Sequence, residues 1–232
     1  MPSVLITGSN RGLGLEWVRQ YAAEGWKVYA TCRYPEGAHE LQEMARQEKG
    51  VSIHRLDITK AGDVHDISVE LMNQPLDVLV NNAGVYMEKY KEIALGRMRY
   101  EDWLYTFRVN TLGAVRVTEA LLDNVSRGKK KLAVVISTHM ASVTDIEASG
   151  SYYYRSTKAA LNAAMEGISR ELKRRGIGLL LLHPGWVRTR MGGEGTSLMP
   201  AESVRGMRKL VEDFRIEQTG RFIRYDGVEM PW

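Results

Sequence analysis

Val4-Leu5-Ile6-Thr7-Gly8-Ser9-Asn10-Arg11-Gly12-Leu13-Gly14 is the stretch on which the fold of this chain turns. Its opening apolar run, without alternation, reads as a strand buried on both faces. A glycine-rich turn follows, and then a helix to about residue 24. Strand, turn and helix N-terminus together form an anion site, because free backbone N–H groups and the positive end of the helix dipole converge there. Gly8 permits the tight turn, and Gly12 and Gly14 let a pyrophosphate and the strand come close to the helix. The spacing is Gly-x-x-x-Gly-x-Gly, related to but distinct from the Gly-x-Gly-x-x-Gly dinucleotide fingerprint. The competing reading is a glycine-rich connection that holds no ligand.

Outward from this unit the pattern repeats. Strands are expected over 27–32, 51–56, 76–80, 132–136, 177–182 and 220–224, and helices over 37–49, 98–122, 154–175 and 201–214. Alternation of this kind predicts an α/β fold: one doubly wound, Rossmann-like parallel sheet of about seven strands, with helices on both faces and ligands at the carboxyl ends of the strands. No repeat or linker-like stretch divides residues 1–232, so a single domain is expected. Within it, Asn110 stands in the 98–122 run, where an asparagine implies a buried task or a kink.

Composition narrows the function. A net charge of +4 and a pI near 9.1, without a one-sided block of Lys and Arg, suit a phosphate-bearing small molecule better than nucleic acid. Cys32 is the only cysteine, so no intrachain disulfide and no Cys-based metal site can form. A reducing cytoplasm is the expected location. No long apolar run or charged leader is present, so neither a membrane span nor a signal peptide is expected. At the end of the second strand, where a carboxylate commonly holds a ribose 2′-hydroxyl, the chain carries Cys32 and Arg33, with Arg11 available in the first loop. Two guanidiniums and no acid favour NADP(H) over NAD(H). Asp57, beside Ile58, is placed to contact an adenine or to cap the helix that Lys60 begins. In Asn81-Asn82-Ala83-Gly84, small and amide residues can line a ligand crevice, and Asn81 can also tie neighbouring strands together. His183, at a strand end, reads as structural.

Tyr154-Arg155-Ser156-Thr157-Lys158 carries the chemistry. Residues four apart share one side of a helix, so a phenol and an ammonium face the same way. A nearby cation favours the phenolate and would bring the phenol's ionisation towards neutrality.

Taken together, Thr7-Gly8-x-x-x-Gly12-x-Gly14, Asn81-Asn82-Ala83-Gly84, Asn110, Tyr154-x-x-x-Lys158 and Pro184-Gly185 resemble the short-chain dehydrogenase/reductase family over nearly the whole chain. Tyr153 to Asn162 and His183 to Thr189 resemble the branch of sniffer-type carbonyl reductases and C-factor-like proteins. The resemblance implies an NADPH-dependent reductase of an aldehyde or ketone, or alternatively a nucleotide-binding signalling protein with incidental turnover. It implies that Tyr154 protonates the carbonyl oxygen, that Lys158 lowers the Tyr154 pKa and holds the nicotinamide ribose, and that Asn110 anchors a relay water. Gly8, Asn10, Arg11, Gly12, Leu13, Arg33, Asp57, Ile58, Asn81, Ala83 and Gly84 would hold the adenosine and phosphate side. Pro184, Gly185, Val187 and Thr189 would meet the nicotinamide. The family's catalytic serine falls on Thr138 when counted back from Tyr154, with Ser137 and then Ser142 as the alternatives. A homodimer through the Tyr154 and Asn110 helices is implied, with a tetramer as the other possibility; Ala160, Ala163, Ala164 and Gly167 would permit close helix approach. Packing of these small residues on the protein's own sheet is the competing explanation.

Overall fold

The chain alternates β1 (Ser3–Thr7), α1 (Gly12–Ala23), β2 (Lys27–Cys32), α2 (His39–Gln47), β3 (Val51–Arg55), α3 (Ala61–Glu70) and β4 (Val78–Asn81) in a computed structural model that describes residues 1–89 and 93–232. Then come α4 (Tyr100–Phe107), a π-helical turn (Arg108–Gly113), α5 (Ala114–Ala120), α6 (Leu122–Arg127), β5 (Leu132–Ile136), α7 (Tyr152–Arg174), β6 (Gly178–His183), α8 (Pro200–Glu212) and β7 (Phe222–Arg224). Seven strands form one parallel sheet in the order β3-β2-β1-β4-β5-β6-β7. The winding direction reverses between β1 and β4, and a crevice opens at the carboxyl ends of strands at such a reversal.

The period of two along each strand divides the core into two layers. Val4, Ile6, Val80 and Val134 pack on one face with Trp17 and Val18 of α1 and Met207 of α8. Leu5, Leu79, Val135 and Leu181 pack on the other with Ile67 of α3, Val117 of α5 and Leu161 of α7. Each such side chain is buried, and full burial stabilises by roughly 1.5–3 kcal/mol. Because both faces are covered, the strands carry apolar runs rather than alternating ones, which is why the sequence marked them so closely.

The run 98–122 departs from the sequence expectation of one helix. It is interrupted by the π-turn at Arg108–Gly113. Asn110 causes the break from within: Oδ1 accepts the Val85 N–H at 2.8 Å, and Nδ2 donates to Val85 O at 2.9 Å and to Thr157 Oγ1 at 3.2 Å. Thr111 Oγ1 adds a bond to Thr157 O at 2.8 Å. These ties hold the segment against the loop after β4 and against α7. At Gly113 an added Cβ would lie 2.6 Å from Ile58 Cδ1. Asn110 therefore has both the buried task and the kink that its residue type implied.

Candidate active site

The glycine turn is fixed by contact as well as by conformation. Gly8 has φ 69°, and a Cβ on Gly14 would fall 2.1 Å from Gly8 O and 2.6 Å from Asn82 Nδ2. Thr7 Oγ1 accepts the N–H groups of Asn82 and Ala83, each at 3.0 Å, and Asn82 Nδ2 donates to Thr7 O at 2.9 Å. The ends of β1 and β4 are thereby latched side by side below the first turn of α1. Above them lies a cleft of about 680 Å³.

Gly8, Asn10, Arg11, Gly12 and Leu13 line this cleft at the first loop, as the sequence indicated. Arg33, Asp57 and Ile58 line it beyond β2 and β3, and Ala83 and Gly84 beyond β4. Ser137, Tyr154, Lys158, Pro184 and Thr189 close its other end, and Thr138 is not among the lining residues. Arg33 Nη1 donates to Tyr105 Oη at 2.9 Å, which props the guanidinium at the cleft wall. The cradle has room only for a glycine at position 14, and among the described residues the arginines at two points of the wall meet no opposing carboxylate at the end of β2. That donor set fits a dinucleotide carrying a 2′-phosphate.

Other expected residues sit elsewhere. Asn81 is buried and donates from Nδ2 to Thr118 Oγ1 at 2.9 Å, so it ties β4 to α5 and does not line the cleft; Asn82 is the amide that does. Asp57 does not cap α3. Its Oδ1 accepts the Thr59 N–H at 3.0 Å and the Thr59 hydroxyl at 2.7 Å, closing a local turn, while Lys60 occupies the N-cap position without a side-chain bond. Val187 is buried and bridges to Leu198, and Gly185 faces a separate cavity beside His183 and Trp186. Neither lines the dinucleotide cleft. Burial and the neighbouring His139 push the His183 imidazole down to about 3, and its Nδ1 accepts the Gly185 N–H at 3.3 Å. His183 is thus neutral and structural.

Tyr154 and Lys158 share one buried wall, one turn apart on α7. Their electrostatics differ from expectation. Lys158 Nζ donates to Ile136 O at 2.8 Å, and burial pulls its pKa down to about 8. The Tyr154 phenol is pushed above its ordinary value, first by burial, then by Tyr86 and Glu88, with a hydrogen bond to the Thr138 side chain acting in the opposite sense. Lys158 does not bring it towards neutrality here: its ammonium is not among the groups that act on the phenol, and loss of water dominates. Of the two candidate hydroxyls, Ser137 Oγ is committed to Asn162 Oδ1 at 2.6 Å, whereas Thr138 reaches Tyr154 and otherwise accepts only a long bond, 3.3 Å, from the Met140 N–H.

Several residues at the site carried no sequence signal. Tyr86 stacks on Tyr154 with ring centroids 4.4 Å apart and planes 16° from parallel. Glu88 Oε1 accepts the Tyr154 N–H at 2.8 Å. Lys89 Nζ donates to Met191 O across the cleft mouth. All three follow the Asn-Asn-Ala-Gly turn, and only their adjacency to it hinted at a role.

A family model for short chain dehydrogenases matches residues 2–198. The Myxococcus xanthus protein named C-signal is 42% identical over 158 residues, which is 68% of this chain and 93% of its own. Among solved structures, the carbonyl reductase Sniffer of D. melanogaster superposes with a TM-score of 0.91 at 30% identity, covering 100% of both chains. The NADPH-bound carbonyl reductase from chicken fatty liver gives 0.92 at 29% identity, covering 100% of this chain and 99% of that one.

Proposed function

The chain belongs to the short chain dehydrogenase family, and from that premise we propose that it is an NADPH-dependent reductase of an aldehyde or ketone with Tyr154 as the proton donor. One observation carries the reading: a buried phenol, held protonated and sensing the Thr138 side chain, stands at the end of a cleft whose other end is a glycine anion cradle. NADPH, when bound, would supply the hydride. Arg11 and Arg33 would hold its 2′-phosphate, and the Gly8–Gly14 turn with the first N–H groups of α1 would hold its pyrophosphate. Lys158, cationic at pH 7, has two N–H donors beyond its bond to Ile136 O for ribose hydroxyls. Tyr154 gives its proton to the carbonyl oxygen, and Thr138 donates to that oxygen as negative charge develops. Asn110 fixes the Val85 backbone at the wall, and in this reading it would anchor the water of the proton relay.

The enzyme is cytoplasmic and homodimeric in this reading, with a tetramer as the next assembly. Among the described residues no helix is long and apolar enough to cross a membrane. Ala163 and Gly167 of α7 are exposed, and a Cβ on Gly167 would meet nothing within 4 Å, so this stripe is not used up in packing on the protein's own sheet. Leu104 and Leu112 are also exposed apolar residues of the Asn110 segment.

A second reading, a nucleotide-binding signalling protein with incidental turnover, draws support from the likeness to C-signal. Oxidation of NADPH and of NADH against a panel of aldehydes, ketones and quinones separates the two. Turnover that prefers NADPH and is lost in Tyr154→Phe, with NADPH affinity retained, upholds the enzyme. Tight NADPH binding with a silent panel favours the signalling protein.

A further inference from the structure

At the N-terminus of α7 the expected cap is missing from its usual place. A serine in the N-cap position normally accepts an N–H from the first turn. Ser151 does not: its backbone is left-handed, φ 54°, its side chain caps nothing, and its Oγ is paired with the Tyr86 hydroxyl. The N–H of Tyr154 is taken instead by Glu88 Oε1 at 2.8 Å, from a loop 66 residues earlier in the chain. Glu88 is 4% exposed, and its Oε2 has no hydrogen-bond partner among the described residues. A buried, half-partnered carboxyl group is costly, so stability alone does not account for it. An amide would cap the same N–H at lower cost. Two residues before it, Tyr86 lies against the ring of the same tyrosine. One loop therefore grips Tyr154 by its backbone and by its ring.

We propose that Glu88 is a positioning residue for Tyr154, holding the first turn of α7 and the phenol at the depth where a carbonyl oxygen meets it. The role as stated rests on the reductase reading. The groups around the phenol are Tyr86 and Glu88 from the loop after β4, Thr138 from the loop after β5, and Lys158 one turn on within α7. Glu88 and Tyr86 favour the protonated phenol, and the Thr138 hydrogen bond opposes them. A pure cap would act only through the backbone, whereas Glu88 also acts through its charge.

Two variants separate these effects: Glu88→Gln keeps an acceptor and removes the charge, and Glu88→Ala removes both. In the NADP-loaded enzyme, Glu88→Ala is expected to lower kcat about tenfold or more by misplacing the phenol, with KM for NADPH nearly unchanged. Glu88→Gln should recover most of that kcat. In alcohol oxidation, where Tyr154 must lose its proton, the limb of the Glu88→Gln pH profile belonging to Tyr154 should move towards acid. Unchanged kcat in Glu88→Ala, or an unmoved limb in Glu88→Gln, overturns the proposal; if Glu88→Ala does not fold, the Glu88→Gln limb decides. Should wild-type protein reduce no carbonyl, hydrogen exchange at the Tyr154 amide tests the grip separately. Protection lost in Glu88→Ala and kept in Glu88→Gln upholds it while the reductase reading falls, and protection unchanged in Glu88→Ala overturns it.

Discussion

Thr138 and Ser137 are neighbours with opposite commitments, and a pair of substitutions should separate catalysis from stability. Thr138→Val keeps the side-chain shape and removes the hydroxyl that reaches Tyr154. If that hydroxyl also donates to the carbonyl oxygen, its loss should lower kcat about a hundred- to a thousand-fold, or ~2.7–4 kcal/mol of barrier. The same change gives up only the long bond from the Met140 N–H, so the stability loss should stay near ~0.5–1 kcal/mol. Ser137→Ala is the reverse case. It deletes the 2.6 Å bond to Asn162 Oδ1, and Asn162 Nδ2 already has no partner among the described residues, so the amide would be left buried and unsatisfied. That should cost ~1–3 kcal/mol of stability, with kcat close to wild type. In a chain of this size each kcal/mol lowers Tm by about 2–4 °C. Steady-state NADPH oxidation and thermal unfolding on both variants make the comparison. The reasoning is refuted if Ser137→Ala silences turnover while Thr138→Val turns over normally.

Lys158→Met should abolish turnover yet stabilise the apo protein at pH 7. With a folded pKa near 8 against 10.5 unfolded, the unfolded chain binds the proton more tightly between those values. Stability carried by this group is present in full above about pH 10.5 and is lost as pH falls through 8. Burying the ammonium therefore costs on the order of 3 kcal/mol at pH 7, less about 1 for the bond to Ile136 O that methionine also forfeits. Urea unfolding should show the gain at pH 7 and its disappearance by about pH 10.5; a variant less stable at pH 7 counts against the argument. Replacing Cys32 with Asp and Arg33 with Ala should weaken NADPH binding by ~1.5–3 kcal/mol and bring NADH towards parity, and wild-type protein that binds NADH the more tightly would contradict the assignment. Light scattering at micromolar concentration should give the mass of a dimer, and a monomer there would remove the interface assigned to α7.

What was legible in the sequence was local. Strands covered on both faces must be apolar without alternation, and runs such as Leu132–Ile136 are set by that requirement alone. The glycine turn was legible because sterics at Gly8 and Gly14 admit no other residue type. Which of its two roles Asn81 takes was legible by the same kind of reasoning. Leu79 faces the α5 layer and Val80 the α1 layer, so Asn81 must return to the α5 side, where Thr118 waits. The π-turn was half legible: Asn110 flagged an irregularity, but its form depends on Val85 and Thr157, which lie 25 and 47 residues away. Glu88 and Tyr86 gave no periodic or propensity signal, since loop residues acquire their meaning only from what they touch.

The Tyr154–Lys158 pair shows where spacing stops being sufficient. A separation of four places both groups on one side of a helix, but the sign of their effect on each other depends on solvent and on third parties. Here Lys158 is held by Ile136 O and Tyr154 is stripped of water, so the phenol is held protonated and the ammonium, at pH 7, charged. That is the ionisation state from which a carbonyl reduction must start, because the acid has to carry its proton until the oxygen needs it. Once the proton has gone, the phenolate left behind lies one helical turn from a cation and beside a hydroxyl donor. In the proposed reaction this placement would let the cation and the hydroxyl meet negative charge after proton transfer, against the opposing effects of burial, Tyr86 and Glu88.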